Sequence, residues 1–195
     1  MLFRSERPWD LITVKPSSHA QVTVGPSAWV QEHAQKITPG GRVLDYACGP
    51  GRHALWLASQ GFEVVAIDRD QASLDQIKSQ DASIHTENLD LEAPNWALEH
   101  LGTFDAVVVT NYLYRPFLKK LPSLLNSQGV LIYETFALGN EAFGKPSNPD
   151  FLLKPNELLG FSENMRILAF EDRIIDLPKP ACIQRICAVP LQSKP

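Results

Sequence analysis

The segment from Arg42 to Asp70 constrains the fold more than any other stretch, because its pattern is strand, glycine turn, helix and second strand. The first apolar run ends at Asp45, and Gly49 and Gly51 then form a turn at which the backbone can approach a ligand closely. The second apolar run ends at Asp68, about 20 residues after the turn, where a carboxylate would bind a ribose diol. This segment therefore predicts a nucleotide-type cofactor site.

The nature of that cofactor is the next question, since Gly49-x-Gly51-x-x-Ala54 fits the dinucleotide fingerprint. Asp45 argues against a dinucleotide, because its charge at about 5 Å from a pyrophosphate would cost roughly 3 kcal/mol at an effective dielectric of 20. Pro50 argues the same way, because it removes a backbone N–H that would bind the phosphate. A phosphate-free cofactor with a sulfonium and an ammonium removes both objections, and that describes S-adenosylmethionine.

The motifs VLDYACGPG and VVAIDRD resemble the first motifs of the class I, Rossmann-like S-adenosylmethionine-dependent methyltransferases. In that family an acid-x-Gly-x-Gly-x-Gly turn holds the methionine part of the cofactor. The residues that match this turn are Asp45, Cys48, Gly49 and Gly51, while Ala47 stands where the first glycine is usual. Later segments resemble the small bacterial methyltransferases of the tellurite-resistance type.

The resemblance also implies cofactor residues at the ends of the next strands. An acid after the third strand usually accepts a hydrogen bond from the adenine amino group, and Asp90 matches it better than Glu87 does. A solvated loop acid is the alternative interpretation of Asp90. The remaining cofactor-binding residues that we expect are Asp68, Arg69, Leu91 and Asn111.

Length and composition limit the other possibilities. A chain of 195 residues with 44% hydrophobic residues predicts one domain over residues 1–195. The net charge of −4 and the lack of a Lys or Arg run argue against nucleic-acid and membrane-surface partners. We expect a cytoplasmic protein with no membrane span or signal peptide, and three reduced cysteines.

The whole chain predicts an α/β fold with a three-layer, Rossmann-like doubly wound sheet. Its seven strands are expected to be mostly parallel, with an antiparallel strand from a C-terminal hairpin, and the family resemblance implies that the last strand is inserted. The predicted parts are an N-terminal arm or flap (1–25), a leading helix (26–38), a cofactor-binding half (42–92) and a substrate-side half (104–189). Within them, strand three is predicted at 82–86, strand five at 129–136 and the hairpin strands at 166–175 and 181–189.

Candidate acceptor residues follow the fourth and fifth strands, whose carboxyl ends should emerge beside the glycine turn. Tyr112, Arg115 and Glu134 are predicted to flank the transferable methyl, with Arg115 as the fixed positive charge for an anionic acceptor. The alternative interpretations are that the tyrosines only pack under the loop and that Glu134 only fixes neighbouring backbone N–H groups. The loop at 140–150 is predicted to close over the acceptor site. The histidines show no metal-ligand spacing, so no metal is expected, and His53 in the first turn of its helix is the one nearest the chemistry.

Three functions remain open at this stage. The first is a methyltransferase that acts on a small-molecule acceptor by direct methyl displacement; the second is an S-adenosylmethionine-binding regulator or partner protein without catalysis. The third, a NAD-dependent oxidoreductase, is disfavoured by Asp45 and Pro50. The loop at 111–114 lacks the two prolines of the enzymes that methylate DNA bases or protein amides, which favours a small acceptor.

Overall fold

The computed structural model describes residues 25–96 and 98–191, and these form one seven-stranded mixed sheet. The strand order is β3-β2-β1-β4-β5-β7-β6. The strands are β1 (Arg42–Tyr46), β2 (Glu63–Asp68), β3 (His85–Asn88), β4 (Phe104–Thr110), β5 (Leu125–Phe136), β6 (Met165–Ile175) and β7 (Ala181–Pro190).

Strands β1 to β5 pair in parallel, and β7 runs antiparallel to both of its neighbours, β5 and β6. The hairpin strand β7 is therefore inserted between β5 and the edge strand β6. This arrangement confirms the predicted fold class, including the antiparallel C-terminal strand. Because β1 and β4 are central neighbours, their carboxyl ends open onto one crevice, where open α/β sheets bind ligands.

Five short α-helices connect the strands: α1 (Ala28–Ala34), α2 (Arg52–Ser59), α3 (Gln71–Gln80), α4 (Arg115–Leu118) and α5 (Glu157–Phe161). Ser27 begins α1 by accepting the Trp29 N–H, and Asp70 begins α3 by accepting the Ala72 N–H. Gly61, with φ of +86°, follows the end of α2 in the left-handed conformation that a C-terminal cap needs.

The central strands are buried on both faces, which is why their sequences are continuous apolar runs. Val43 and Val108 belong to the core under α1, α2 and α3, whereas their neighbours Leu44 and Val107 belong to the core on the opposite face. That opposite face is covered by α4, α5 and short 3₁₀ turns, so the two helical layers are unequal. The fold has the expected three layers, and the helices of the layer that contains α4 and α5 are shorter than those of the other.

Some predicted boundaries were wrong for local reasons. Strand β3 begins at His85 instead of 82, because Asp81 accepts hydrogen bonds from the Ser83 N–H and hydroxyl and makes a turn there. The leading helix is shorter than predicted, at Ala28–Ala34. Helix α4 has a single turn, and Pro122 opens a separate 3₁₀ turn after it.

The predicted N-terminal arm lies outside the described residues except for its last member, Gly25. The division of the chain into a single domain with two functional halves stays a prediction. In the part of the chain that the structure describes, none of the helices combines the length and the apolar character that crossing a bilayer requires. Cys48, Cys182 and Cys187 carry free thiols.

Candidate active site

The turn after β1 is held in the left-handed backbone region at three positions. Ala47 has φ of +56°, Gly49 has +50° and Gly51 has +78°. Glycine adopts this region freely, whereas a residue with a Cβ atom is strained by roughly 1–2 kcal/mol. This strain explains why the family resemblance implies glycine where this chain has Ala47.

The two glycines of the turn serve different purposes. A Cβ atom built on Gly49 would meet open space, while one built on Gly51 would overlap the Ile77 side chain of α3. Gly51 therefore permits the start of α2 to pack against α3. This packing gives a reason for a glycine at position 51 that is independent of the ligand, and the approach of a ligand to the Gly51 backbone stays a prediction.

Asp68 at the end of β2 is fixed by two backbone hydrogen bonds. Its Oδ2 accepts the Gly49 N–H at 2.8 Å, and its Oδ1 accepts the Asp70 N–H at 2.9 Å. The carboxylate thus links the glycine turn to the start of α3. Each oxygen keeps a further lone pair for a ligand, so Asp68 is oriented to accept additional hydroxyl hydrogens.

Asp68 lies in the wall of a cavity of about 250 Å³ at the carboxyl ends of β1, β2, β3 and β4. Six of the ten predicted cofactor residues line it: Ala47, Asp68, Arg69, Asp90, Leu91 and Asn111. Sequence reasoning did not assign three other lining residues, Leu89, Glu92 and Tyr112, to the cofactor. For Leu89 and Glu92 the available signal was adjacency to Asp90 and Leu91.

The charge of this cavity matches a cofactor without phosphate. Its wall holds three carboxylates, Asp68, Asp90 and Glu92, and a single cation, Arg69. Excess negative charge attracts a sulfonium and an ammonium and repels a pyrophosphate. The residues present therefore fit S-adenosylmethionine better than a dinucleotide.

Asp45 supports the turn from behind and does not line the cavity. It is 1% exposed, accepts a hydrogen bond from the Ala54 N–H in the first turn of α2, and its Oδ2 has no partner among the described residues. Burial raises the pKa of Asp45 to about 7. The sequence-based prediction assigned a full negative charge to Asp45, which overestimates its repulsion of a pyrophosphate. The repulsion comes instead from the three carboxylates in the cavity wall.

Cys48 and Gly49 also shape the turn without lining the cavity. The Cys48 side chain packs into the core under α1–α3, and burial raises the pKa of its thiol, so it is an unreactive structural cysteine. Its backbone N–H donates to Ile67 O at 3.0 Å, which ties the turn to β2. Of the ten predicted cofactor residues, Asp45, Cys48, Gly49 and Gly51 thus lie outside the cavity wall.

A second, larger cleft of about 710 Å³ lies beside the cofactor cavity. It is bounded by the start of α1, the end of β5, the first half of β7 and the turn between β6 and β7. Its charged lining residues are Arg52, Glu134, Lys179 and Arg185, and its apolar ones include Phe136, Ile175, Leu177, Pro178 and Ile183. Sequence reasoning identified only Glu134 among the charged residues.

Asn111 lines both cavities and also a third one of about 240 Å³ that extends to Tyr112 and Phe151. Its φ of +54° is unusual for a residue other than glycine, although asparagine tolerates it best. The Asn111 N–H donates to Glu134 O at 3.0 Å, which fixes the turn after β4 to β5. The cofactor cavity and the large cleft therefore meet at Asn111.

Glu134 is held by two partners on different elements. Its Oε1 accepts the Ser27 hydroxyl hydrogen at 2.7 Å, and its Oε2 accepts an Arg185 N–H at 3.1 Å. Arg185 also donates to Glu171 Oε2 at 2.6 and 2.9 Å. Glu134 thus enters the cleft wall as a fixed, hydrogen-bonded carboxylate.

The structure places Arg115 away from the three cavities that Asn111 lines. Its guanidinium donates to both Glu157 oxygens, at 2.7 and 2.9 Å, and to the Asp150 and Leu152 carbonyls, each at 2.7 Å. The interpretation of Arg115 as the fixed charge of the acceptor pocket is therefore corrected. Arg115 instead anchors the end of the loop that follows β5 to helix α5.

Tyr112 lies between the cofactor cavity and the hydrophobic core. Its hydroxyl is buried without a partner among the described residues, and burial raises its pKa. Its ring lies 5.6 Å from that of Tyr46, and its carbonyl accepts the Tyr133 hydroxyl hydrogen at 2.7 Å. These contacts favour the packed-tyrosine interpretation over a catalytic one.

His53 is a structural residue of the same region. Its Nε2 accepts the Ser27 N–H at 3.1 Å, so Nδ1 carries the proton and donates to Thr110 Oγ1 at 3.2 Å. Burial lowers the pKa of His53 to about 3. A histidine that stays neutral and has both nitrogens engaged cannot act as a general base near neutral pH.

Comparison with known proteins agrees with this geometry. Residues 43–129 match a family model described as a methyltransferase domain. Over 111 residues the chain is 27% identical to an uncharacterized methyltransferase of Schizosaccharomyces pombe, an alignment that covers 51% of this chain and 74% of that protein.

Two solved structures share the fold. TehB from Haemophilus influenzae has a TM-score of 0.70 and 22% identity, over 83% of this chain and 61% of its own. A TehB-like SAM-dependent methyltransferase from Corynebacterium glutamicum has a TM-score of 0.62 and 16% identity, over 84% of this chain and 87% of its own. The chain thus spans less than two thirds of the Haemophilus protein. The family match, the curated relative and the shared fold together support a class I S-adenosylmethionine-dependent methyltransferase that resembles TehB.

Proposed function

We propose that the protein transfers the methyl group of S-adenosylmethionine to a small molecule that binds in the large cleft. The observation that carries this proposal is the position of Asn111, which lines both the cofactor cavity and the cleft. A ligand in each would approach the other at this residue. When bound, the cofactor supplies the methyl carbon and leaves as a thioether, so the chemistry is a direct displacement.

The protein's part in such a displacement is to bind, align and exclude water. Asp68 is oriented by Gly49 and Asp70 to hold the ribose hydroxyls. Glu134, fixed by Ser27 and Arg185, supplies a rigid polar wall on the acceptor side. A general base is not required for an acceptor that arrives deprotonated, which fits a neutral His53 whose two ring nitrogens are both hydrogen-bonded.

Cofactor choice is tested by thermal unfolding with S-adenosylhomocysteine and NAD at matched concentrations. We expect stabilisation by S-adenosylhomocysteine alone, because a ligand stabilises only as far as it binds the folded state. In calorimetry, Asp68→Ala should weaken S-adenosylhomocysteine binding by at least about tenfold, given roughly 1.5–3 kcal/mol per charge-assisted hydrogen bond. Asp75→Ala, which removes the same charge from the exposed side of α3, is the matched control.

Catalysis is tested with S-adenosylmethionine carrying a labelled methyl group and an extract of small metabolites. Labelled product is expected with the parent. Glu134→Gln should lower the turnover while leaving S-adenosylhomocysteine affinity within a few-fold, because Glu134 lines the cleft and not the cofactor cavity. Cofactor binding without turnover on any small-molecule fraction would instead support the catalytically silent regulator.

A further inference from the structure

The large cleft carries more positive charge than its own carboxylates neutralise. Arg52, Lys179 and Arg185 line it, against Glu134 alone. Arg185 is already engaged, because it donates to Glu134 and to Glu171 of the edge strand. The cations left for a ligand are therefore Arg52 and Lys179.

Arg52 is the better placed of the two. It is the first residue of α2, directly after the glycine turn, and it is partly buried, whereas Lys179 is exposed at the hairpin. Its Nη1 donates to Gly25 O at 3.4 Å, and within residues 25–96 and 98–191 it forms no ion pair. A guanidinium has five N–H donors, so most of its donor capacity is unused among these residues.

A partly buried cation without a counter-ion is costly, and an anionic ligand group relieves that cost. Burial lowers the pKa of Arg52, while the nearby Glu134 and Asp45 act in the opposite direction. Glu134 does not pair with Arg52 in the structure; its two oxygens accept from Ser27 and Arg185 instead. The planar fork of an arginine is suited to a carboxylate, which it can bind through two parallel hydrogen bonds.

The hairpin side of the cleft has the opposite character. Phe136, Ile175, Leu177, Pro178 and Ile183 line it. Leu177, at the turn between β6 and β7, is 82% exposed, which is unusual for so large an apolar side chain. Covering it with hydrocarbon would be favourable by about 25 cal/mol per Å² of apolar surface.

We propose, on the basis of the function proposed above, that the acceptor is a small amphipathic organic acid whose carboxylate binds Arg52 and whose hydrocarbon body packs against the hairpin residues Leu177 and Ile183. The cleft volume of about 710 Å³ is far larger than an inorganic oxyanion needs. The apolar wall would gain nothing from such an ion. One partly buried cation also matches one carboxylate.

The test uses 4-phenylbutanoate and its neutral analogue 4-phenylbutanamide, measured by calorimetry with S-adenosylhomocysteine present at saturation. The parent should bind the acid about tenfold or more tightly than the amide, as a charge-assisted pair predicts. Arg52→Gln should abolish this preference, Arg52→Lys should retain most of it, and Arg166→Gln, an equal charge change on the exposed part of β6, should leave it unchanged. Leu177→Ser should weaken both ligands several-fold, without a folding penalty at so exposed a position.

Other results would overturn the inference. Equal affinity of the parent for the acid and the amide would contradict recognition of a carboxylate. If inorganic phosphate competed as strongly as the acid, the hydrocarbon body would contribute nothing to binding. If Arg52→Gln weakened S-adenosylhomocysteine as much as the acid, Arg52 would belong to the cofactor, and the proposed function would stand without this acceptor class. Failure of the parent to bind S-adenosylhomocysteine would overturn the proposed function itself.

Discussion

Ser27 donates its hydroxyl hydrogen to Glu134 Oε1 over 2.7 Å, although 107 positions separate the two residues. The same oxygen of Ser27 accepts the Trp29 N–H at 3.1 Å and so caps α1, while the Ser27 N–H donates to His53 at 3.1 Å. One serine thus connects the start of α1 with β5 and α2. The wall of the large cleft depends on these three hydrogen bonds.

Replacing Ser27 with alanine should therefore cost more than the loss of an ordinary helix cap. We expect Ser27→Ala to lower the free energy of unfolding by about 1–3 kcal/mol, which combines a lost cap with a lost hydrogen bond to a carboxylate. Denaturant unfolding measures this change. Ser27→Thr keeps the hydroxyl and is the control, and an equal effect of both substitutions would contradict the role of the hydroxyl.

The pH dependence of stability should show two opposing contributions from His53 and Asp45. The folded pKa of His53 is about 3, below its usual 6.5, so His53 contributes stability above pH 6.5 that is lost as pH falls toward 3. The folded pKa of Asp45 is about 7, above its usual 3.8, so Asp45 contributes stability below pH 3.8 that is lost as pH rises toward 7. Between these usual values each contribution changes by at most about 1.4 kcal/mol per pH unit, in opposite directions.

Single substitutions should expose each contribution in turn. Asp45→Asn should make stability fall more steeply than in the parent as pH drops below 6.5, the usual pKa of histidine. The reason is that the His53 contribution is then no longer offset by that of Asp45. His53→Gln should make stability rise relative to the parent as pH drops from about 7, because only the Asp45 contribution remains. Denaturant unfolding across this range measures both slopes, and parallel curves for the parent and both variants would contradict the assignment.

Ala47 offers a stabilising substitution. Since its φ of +56° favours glycine, Ala47→Gly should raise the free energy of unfolding by roughly 1 kcal/mol, which reflects the strain removed less the entropy that glycine adds to the unfolded chain. Thermal unfolding should show a gain of a few degrees. Gly51→Ala is the contrasting variant, because its Cβ would overlap Ile77, and it should be strongly destabilising.

Arg115→Ala should loosen the loop that follows β5. The substitution removes the Arg115 donors from the Asp150 and Leu152 carbonyls and from the Glu157 carboxylate, which keeps only the Lys154 N–H, at a cost of about 1–3 kcal/mol. Amide hydrogen exchange should rise between 138 and 153, with little change in β1 and β2. Arg166→Ala on the exposed face of β6 is the control, and unchanged exchange in the loop would contradict the anchoring role.

The sheet was predictable from sequence because its strands are long apolar runs punctuated by glycine, proline and terminal acids. Asp68 and Asn111, at the ends of β2 and β4, followed from the same pattern, whereas Asp90, after β3, came from the family resemblance; all three line the cofactor cavity. The start of β3 differs from the prediction because Asp81 forms a side-chain turn, a local interaction that apolar periodicity does not report.

The acceptor side was less accessible to sequence reasoning because its residues come from distant parts of the chain. Arg115 and Arg185 look alike in sequence, and only the pairing of β7 between β5 and β6 brings Arg185 to Glu134 and leaves Arg115 with Glu157. Ser27 caps α1 locally, but its second partner, Glu134, lies on β5. Ion-pair choice of this kind depends on register, which a single sequence does not specify.

The insertion of β7 between β5 and β6 places the two cavities over different parts of the sheet. The cofactor cavity is lined by the turns after β1, β2, β3 and β4, whereas the apolar wall of the large cleft is lined mainly by the β6–β7 hairpin; Asn111 lines both cavities. Changes at the tip of the hairpin, at 176–180, therefore leave the cofactor wall untouched. Substitutions confined to this exposed turn would therefore change the shape and polarity of the large cleft independently of the cofactor cavity.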